Sequence, residues 1–414
     1  MAALVQSRRA SKEVYGSGSA PKGSRDALSS EGPPSEPHSD LQGLANIFGG
    51  HPILSSMLVA LPLGFASFHL EMEAQYVFMF NFIAIIPLAW LIGKATEDVS
   101  AKVGETAGGL LNATFGNVVE MLLCIAGIKN NEIAVVQCTL LGSILSNLLL
   151  VLGCSFLAGG LFHAVQEYNQ AGASTQCSLL MMSVFAIGLP TIYTNVLKSE
   201  AEFDHMVQVS RWSSICLLSV YCAFLVFQLK THADLFQDED DNGEEEEEEP
   251  DLSAPTAAVL LAIATVVTSF ATDYLIDALK GTVTKWNVSK EFVGIILLPI
   301  IGNAAEHYTA ITVAMRNKMD LSLGVAVGSS CQMALLVTPF TVLVGWWYGT
   351  NMTLNFHLFQ LAVLLFAVFL VTTILNNGRS NWFEGHLLLV TYLTVALIYF
   401  FEGAEEDASL ATLS

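Results

Sequence analysis

The chain has 414 residues, 53% of them hydrophobic and only 13% charged, with a mean hydropathy of +0.55. That combination excludes an ordinary soluble domain and places the chain among proteins that cross a membrane many times. The net charge of −21 is local: eleven acidic residues lie between Asp238 and Asp251, and no basic cluster supports a nucleic-acid partner.

From the N-terminus, residues 1–48 are rich in Ser, Gly, Pro and mixed charge and hold no apolar core for a signal peptide. They read as a disordered cytosolic tail. Within it, Arg8-Arg9-Ala10-Ser11 resembles a basophilic kinase target, a short pattern that is also common by chance, and makes a regulatory kinase or a contact by the tail a candidate partner. Residues 49–73 hold the first transmembrane helix, which then serves as the insertion signal. Hydropathy resolves about eleven spans in all, near 53–70, 76–96, 106–128, 132–161, 174–194, 211–229, 256–277, 287–313, 320–347, 356–375 and 383–401. Several exceed the ~20 residues a bilayer needs, which predicts tilt or interruption. The expected fold is an all-α polytopic membrane protein in a lipid bilayer. Five spans fall in 74–233 and five in 255–403, with an acidic cytosolic loop over 234–254 between them and a C-terminal tail over 404–414.

All seven cysteines lie in or at the edge of apolar spans without CxxC spacing. They read as small buried apolar residues, neither a disulfide framework nor a zinc site. With eleven spans, eleven Lys and Arg fall on the N-terminal side and six on the other. This bias predicts that the N-terminus and acidic loop are cytosolic and the C-terminus is on the far side.

The third span reads "TFGNVVEMLLCIAG" (114–127), and the eighth reads "IIGNAAEHYTAITV" (300–313). Gly116-Asn117-x-x-Glu120 thus recurs as Gly302-Asn303-x-x-Glu306, 186 residues later. The span after each carries "GSILSNLLL" from Gly142 or "GSSCQMALL" from Gly328, and the span before each closes with "ATED" (95–98) or "ATDY" (271–274). The copies sit five spans apart, and an odd offset means that they cross the membrane in opposite directions. This is a 1 + (5 + 5) inverted repeat, the way many secondary transporters build one midplane site between two halves.

A carboxylate at a helix centre in hydrocarbon costs about 2.5–3.5 kcal/mol on insertion scales. It persists if it faces a cavity, binds a cation or takes a proton. Glycine lets backbones approach and a helix unwind, exposing carbonyl oxygens. Asn117 and Glu120, three residues apart, point to one helical face, as do Asn303 and Glu306. Together the two faces offer two carboxylates, two amide oxygens and freed carbonyls. Ser143 and Ser329, then Ser146 with Asn147 or Gln332 one turn on, are placed to complete an all-oxygen shell suited to Ca2+. Mn2+ also accepts oxygen ligands, whereas the lack of Cys or Met at matching positions argues against copper and zinc. Without a cation, two glutamates a few ångströms apart in a low dielectric cannot both stay charged, so protons replace the metal. Ca2+ and H+ are then cargo, and no resident cofactor is expected.

The segments "GETAGGLLNATFGNVVE", "GSILSNLLLVLG" and "GNAAEH…GSSCQ" resemble the repeats of the Ca2+/H+ exchanger family, within the calcium/cation antiporter superfamily. The resemblance covers about residues 50–400. It implies Glu120 and Glu306 as shared Ca2+ and proton ligands and residence in a vacuolar or other acidic membrane. The implied activity moves Ca2+ out of the cytosol in exchange for H+. Mn2+/H+ or broader divalent exchange is the nearest alternative. Sodium/calcium exchangers carry Pro-Glu and Pro-Asp in place of these repeats, which counts against Na+ coupling.

Glu97 and Asp273 hold equivalent positions at the ends of the second and seventh spans, and Asp277 lies one turn beyond Asp273. They are candidates for relaying cations or protons to the aqueous mouths, or else interfacial acids near helix ends. His307 follows Glu306 and is a candidate for assisting proton exchange, or a packing histidine. The acidic run is placed to concentrate Ca2+ at the cytosolic mouth, or is a solvated linker. A cation channel would need a continuous pore, often with acidic rings from several subunits. No nucleophile–base set or nucleotide loop supports an enzyme. A homo-oligomer stays open.

Overall fold

The computed structural model describes residues 40–197, 202–233 and 250–413. The Arg8–Ser11 pattern and most of the acidic run lie outside the described residues. Almost every described segment is helical, as apolar runs in a bilayer must be to satisfy their backbone groups. In chain order the helices are α1 (Asp40–Gly50), α2 (Pro52–His69), α3 (Ala74–Val103), α4 (Glu105–Phe115), α5 (Val118–Lys129) and α6 (Ile133–Phe162). There follow α7 (Gln170–Leu197), α8 (Glu202–Val226), α9 (Ala254–Trp286), α10 (Lys290–Gly302), α11 (Ala304–Met315), α12 (Met319–Trp347), α13 (Leu358–Leu375) and α14 (Trp382–Leu413).

Among the described residues, nine helices are long and apolar enough to cross a membrane, and two bent pairs bring the number to eleven. The bent pairs are the third and eighth spans. The axis turns by 43° between α4 and α5 and by 59° between α10 and α11. Both breaks fall at the Gly-Asn dipeptides, where the span lengths and the motif glycines predict interruption.

Contacts between chain-distant ends show that both bent pairs cross the membrane. On one face, Lys94 pairs with Asp251 at 2.9 Å, Gln166 donates to the Ala314 carbonyl at 2.8 Å, and the Asn169 N–H donates to Asp320 at 2.7 Å. There too β1 (Gln166–Glu167) pairs antiparallel with β2 (Arg379–Ser380). On the other face, Lys129 pairs with Asp273 at 3.5 Å and Lys290 with Glu132 at 2.5 Å. Each contact joins segments that an eleven-span path puts on the same side.

The repeat is visible in backbone detail. Asn131 (φ 57°) and Asn317 (φ 63°), also 186 residues apart, both take the left-handed conformation just past α5 and α11. Asparagine tolerates this state better than other residues with a Cβ. The next residue closes each turn in the same way, Glu132 N–H to Gly127 O and Lys318 N–H to Val313 O. A π-helical turn follows in each half, over Ser146–Val151 and Met333–Val337, a distortion often found at functional sites.

The buried apolar residues form two clusters. One centres on α3 and α9, which pack along one another, and it includes Ile47 of α1. The other joins α6, α7, α12, α13 and α14. The broken helices α5 and α10 contribute to both, so the breaks lie at the seam between two packing units.

The tail expected over 1–48 ends earlier than that boundary, because Asp40–Gly50 is helical. Its anchor is long-range: Asp40 accepts hydrogen bonds from Ser253 N–H (2.8 Å), Ser253 Oγ (2.8 Å) and Thr256 Oγ1 (2.6 Å). These donors hold the Asp40 carboxyl below its ordinary pKa. They also tie α1 to the start of α9.

Candidate functional site

Each half-helix begins with its motif asparagine, which leaves helical geometry: Asn117 has φ −106° and ψ 17°, Asn303 φ −87° and ψ 16°. The continuous face expected to carry Asn and Glu together is therefore broken between them. The asparagine side chains reach across to the opposite repeat. Asn117 Nδ2 donates to Gln332 Oε1 at 2.5 Å, and Asn303 Nδ2 donates to the Ser143 carbonyl at 3.2 Å. Repeat one is thus braced on the Gly-Ser span of repeat two, and the reverse.

Glu120 and Glu306 lie in the first turns of α5 and α11. Free N–H groups and the positive end of the helix dipole favour a carboxylate there. Glu120 is 1% exposed, and Glu306 is partly buried. The two belong to one site: Glu120 Oε1 lies 2.9 Å from where a Cβ on Gly302 would stand, one turn before Glu306. Negative charge on both carboxyls in this low-dielectric setting is disfavoured. A methyl group at Gly302 would have to push the Glu120 carboxylate end aside.

Glu120 Oε2, Glu306 Oε2, Ser143 Oγ and both amide atoms of Asn147 are buried without a hydrogen-bond partner among the described residues. Unsatisfied buried polar groups are rare because each costs about 1–3 kcal/mol. A cation or protons would satisfy the oxygens. Ser146 lies beside the Tyr392 hydroxyl. Among the described residues no cluster of three or more His, Cys, Asp or Glu could hold a metal. The oxygens the site offers are those of two carboxylates and of neutral side chains.

A cavity of about 450 Å³ reaches this site from one face. Gly116, Gly302, Glu306, Ser329 and Gln332 line its inner end, and Glu97, Gly172, Gln228 and Asp320 its outer part. The opposite face is shut. A Cβ on Gly142 would lie 2.4 Å from the Ile295 carbonyl oxygen, and one on Gly294 would lie 2.6 Å from Cys138 Cβ, so α6 and α10 touch backbone to backbone. The equivalent pair, α12 and α4, is parted by the cavity, and Gly324, equivalent to Cys138, has nothing within 4 Å of its Cβ position. One contact between matching elements is closed in one half and open in the other.

The secondary candidates divide between the faces. Glu97 lines the cavity, whereas Asp273 is ion-paired with Lys129 on the shut face and Asp277 is exposed outside the cavity. His307 is partly buried and lies off the cavity wall. Sequence reasoning missed Asp98, which is 2% exposed, 3.5 Å from Lys94, and accepts from the Leu252 N–H at 3.2 Å. Its counterpart in the "ATDY" copy is Tyr274, so recurrence gave no signal.

The profile described as "Sodium/calcium exchanger protein" matches residues 74–230 and 256–401. The chain is 41% identical over 355 residues to Vacuolar cation/proton exchanger 2 of Arabidopsis thaliana, spanning 84% of this chain and 80% of the relative. It is 42% identical over 346 residues to the Vacuolar calcium ion transporter of Schizosaccharomyces pombe, spanning 83% and 84%. The solved structure of native YfkE superposes with a TM-score of 0.73 at 34% identity, covering 84% of this chain and 100% of that one.

Proposed function

The chain belongs to the Ca2+/H+ exchanger family, and from that premise we propose that it moves Ca2+ out of the cytosol into an acidic compartment in exchange for H+. Cation and protons compete for Glu120 and Glu306. The observation that carries this reading is the pair of buried carboxyls, each with an unpartnered oxygen, brought to one place by two inverted helix breaks. A divalent cation and two protons neutralise the pair equally. A doubly charged empty site in low dielectric is disfavoured. If the two packing units rearrange only when the pair is neutralised, exchange is obligatory. Each proton moved across one pH unit supplies about 1.4 kcal/mol, and a tenfold cation gradient costs about the same, so two or more protons per Ca2+ sustain a large gradient.

Alternating access has a structural counterpart in the two matched crossings, α6 with α10 and α12 with α4, closed and open respectively. Exchanging their states would move access to the other face. The Lys and Arg bias supports a cytosolic N-terminus and acidic loop, and the cavity opens on that same face. The oxygen donors accept Mn2+ as well as Ca2+.

The test is Ca2+ uptake into vesicles holding the protein under an imposed inside-acid gradient, with Mn2+ and Na+ as competitors. Uptake should collapse with a protonophore and need no Na+. Uptake that survives the protonophore, or that depends on Na+, overturns proton exchange.

A further inference from the structure

Two buried glutamines outside the motif spans stand near the starts of the corresponding helices α7 and α13. Gln176 lies near the start of α7 and is 4% exposed; Gln360 lies near the start of α13, the most apolar of the spans, and is 7% exposed. They follow Gly142 and Gly328 by 34 and 32 residues. A neutral amide buried in an apolar helix is unfavourable unless something polar meets it. Each glutamine packs on the other repeat's Gly-Ser span. Gln176 Nε2 lies 3.8 Å from the Cβ position of Gly328, beside Ser329, and the Gln176 carbonyl accepts from Cys331 Sγ at 3.5 Å. Gln360 Nε2 donates to Cys138 Sγ at 3.4 Å.

Their surroundings differ as the two faces differ. Gln176 is on the wall of the open cavity, between its outer residues Gly172 and Ala173 and its inner residues Ser329 and Gln332. Gln360 is on the shut side, against the cysteine that Gly294 also touches. Sulfur is a weak acceptor, so this contact is poor satisfaction for a buried amide. The residue equivalent to Cys138 is Gly324, which lines the open cavity. Parting α6 from α10 as α12 is parted from α4 would therefore put Gln360 on the wall of a cavity from the opposite face.

Resting on the exchange reading above, we propose that Gln176 and Gln360 are a pair of cation-positioning residues, one for each access path. Each offers its amide oxygen to the incoming cation just outside the glutamates, and only while its own face is open. A hydrogen-bond-capable group at this depth replaces part of the hydration shell that Ca2+ sheds.

The inference is tested by measuring KM for Ca2+ from each face, as uptake and as release from loaded vesicles of single orientation under opposite pH gradients. Gln176→Leu should raise KM from the cavity face about tenfold and leave KM from the other face within about twofold. Gln360→Leu should do the reverse. Gln176→Glu and Gln360→Glu retain an oxygen donor and should restore the sided KM, which also covers a leucine variant that fails to insert. If both KM values move together, or neither moves, the inference is wrong. Wild-type protein that fails to exchange Ca2+ for H+ in either direction overturns the exchange reading instead.

Discussion

Glu120 and Glu306 occupy first turns of half-helices, where backbone N–H groups are free and the dipole favours negative charge. That placement offsets part of the cost of burying them and leaves their outer oxygens for a ligand. Glu120→Gln and Glu306→Gln keep the shape and remove one charge each. Either should abolish Ca2+ uptake while protein abundance in the membrane stays at the wild-type level; normal uptake by one variant removes that residue from the site. Gly302→Ala would set a methyl group 2.9 Å from Glu120 Oε1. It should displace that carboxylate and weaken Ca2+ binding by about tenfold or more, as overpacking of about 1–3 kcal/mol implies. Titration of the purified variant checks this, and wild-type affinity would show that Glu120 does not need its present position. These residues were legible in the sequence because the motif occurs twice. Asp98 was not, because its counterpart is a tyrosine, and only the fold brings Leu252 to it.

The broken helices convert that motif into geometry. Hydropathy runs through Gly116-Asn117 and Ile301-Gly302-Asn303 without a dip deep enough to announce a bend. The bends depend on partners far along the chain: Asn117 on Gln332, Asn303 on Ser143. Span number and repeat were therefore readable from pattern and parity, and interruption from span length and the motif glycines, while the size of each bend and its partners across more than a hundred residues were not. The shut face rests on the Gly142–Ile295 approach. Gly142→Ala should force α6 from α10, disfavour the state open to the cavity face, and lower the uptake rate several-fold. An uptake rate unchanged in this variant would mean that the crossing is not packed this tightly.

At the scale of the molecule, two nearly equivalent halves adopt different states, one crossing parted and the other packed. No reading of the sequence gives this, since the halves match where it matters. It has a direct chemical signature. In a background lacking other cysteines, Gly324→Cys should react with a membrane-impermeant maleimide from the face on which the cavity opens, beside Glu97 and Asp320, while Cys138 retained alone should stay protected from both faces. Labelling of Cys138 without labelling at 324 would reverse the assignment of open and shut sides. The central claim, however, concerns competition at one pair of carboxyls. It is tested most directly by titrating the purified protein with Ca2+ in weak buffer while recording released protons. About two protons per Ca2+ bound should appear when the pair begins protonated, with apparent Ca2+ affinity falling as pH falls, and both effects should vanish in the Glu120→Gln, Glu306→Gln double variant. Ca2+ binding that releases no protons and keeps one affinity from acidic to neutral pH would contradict the shared site.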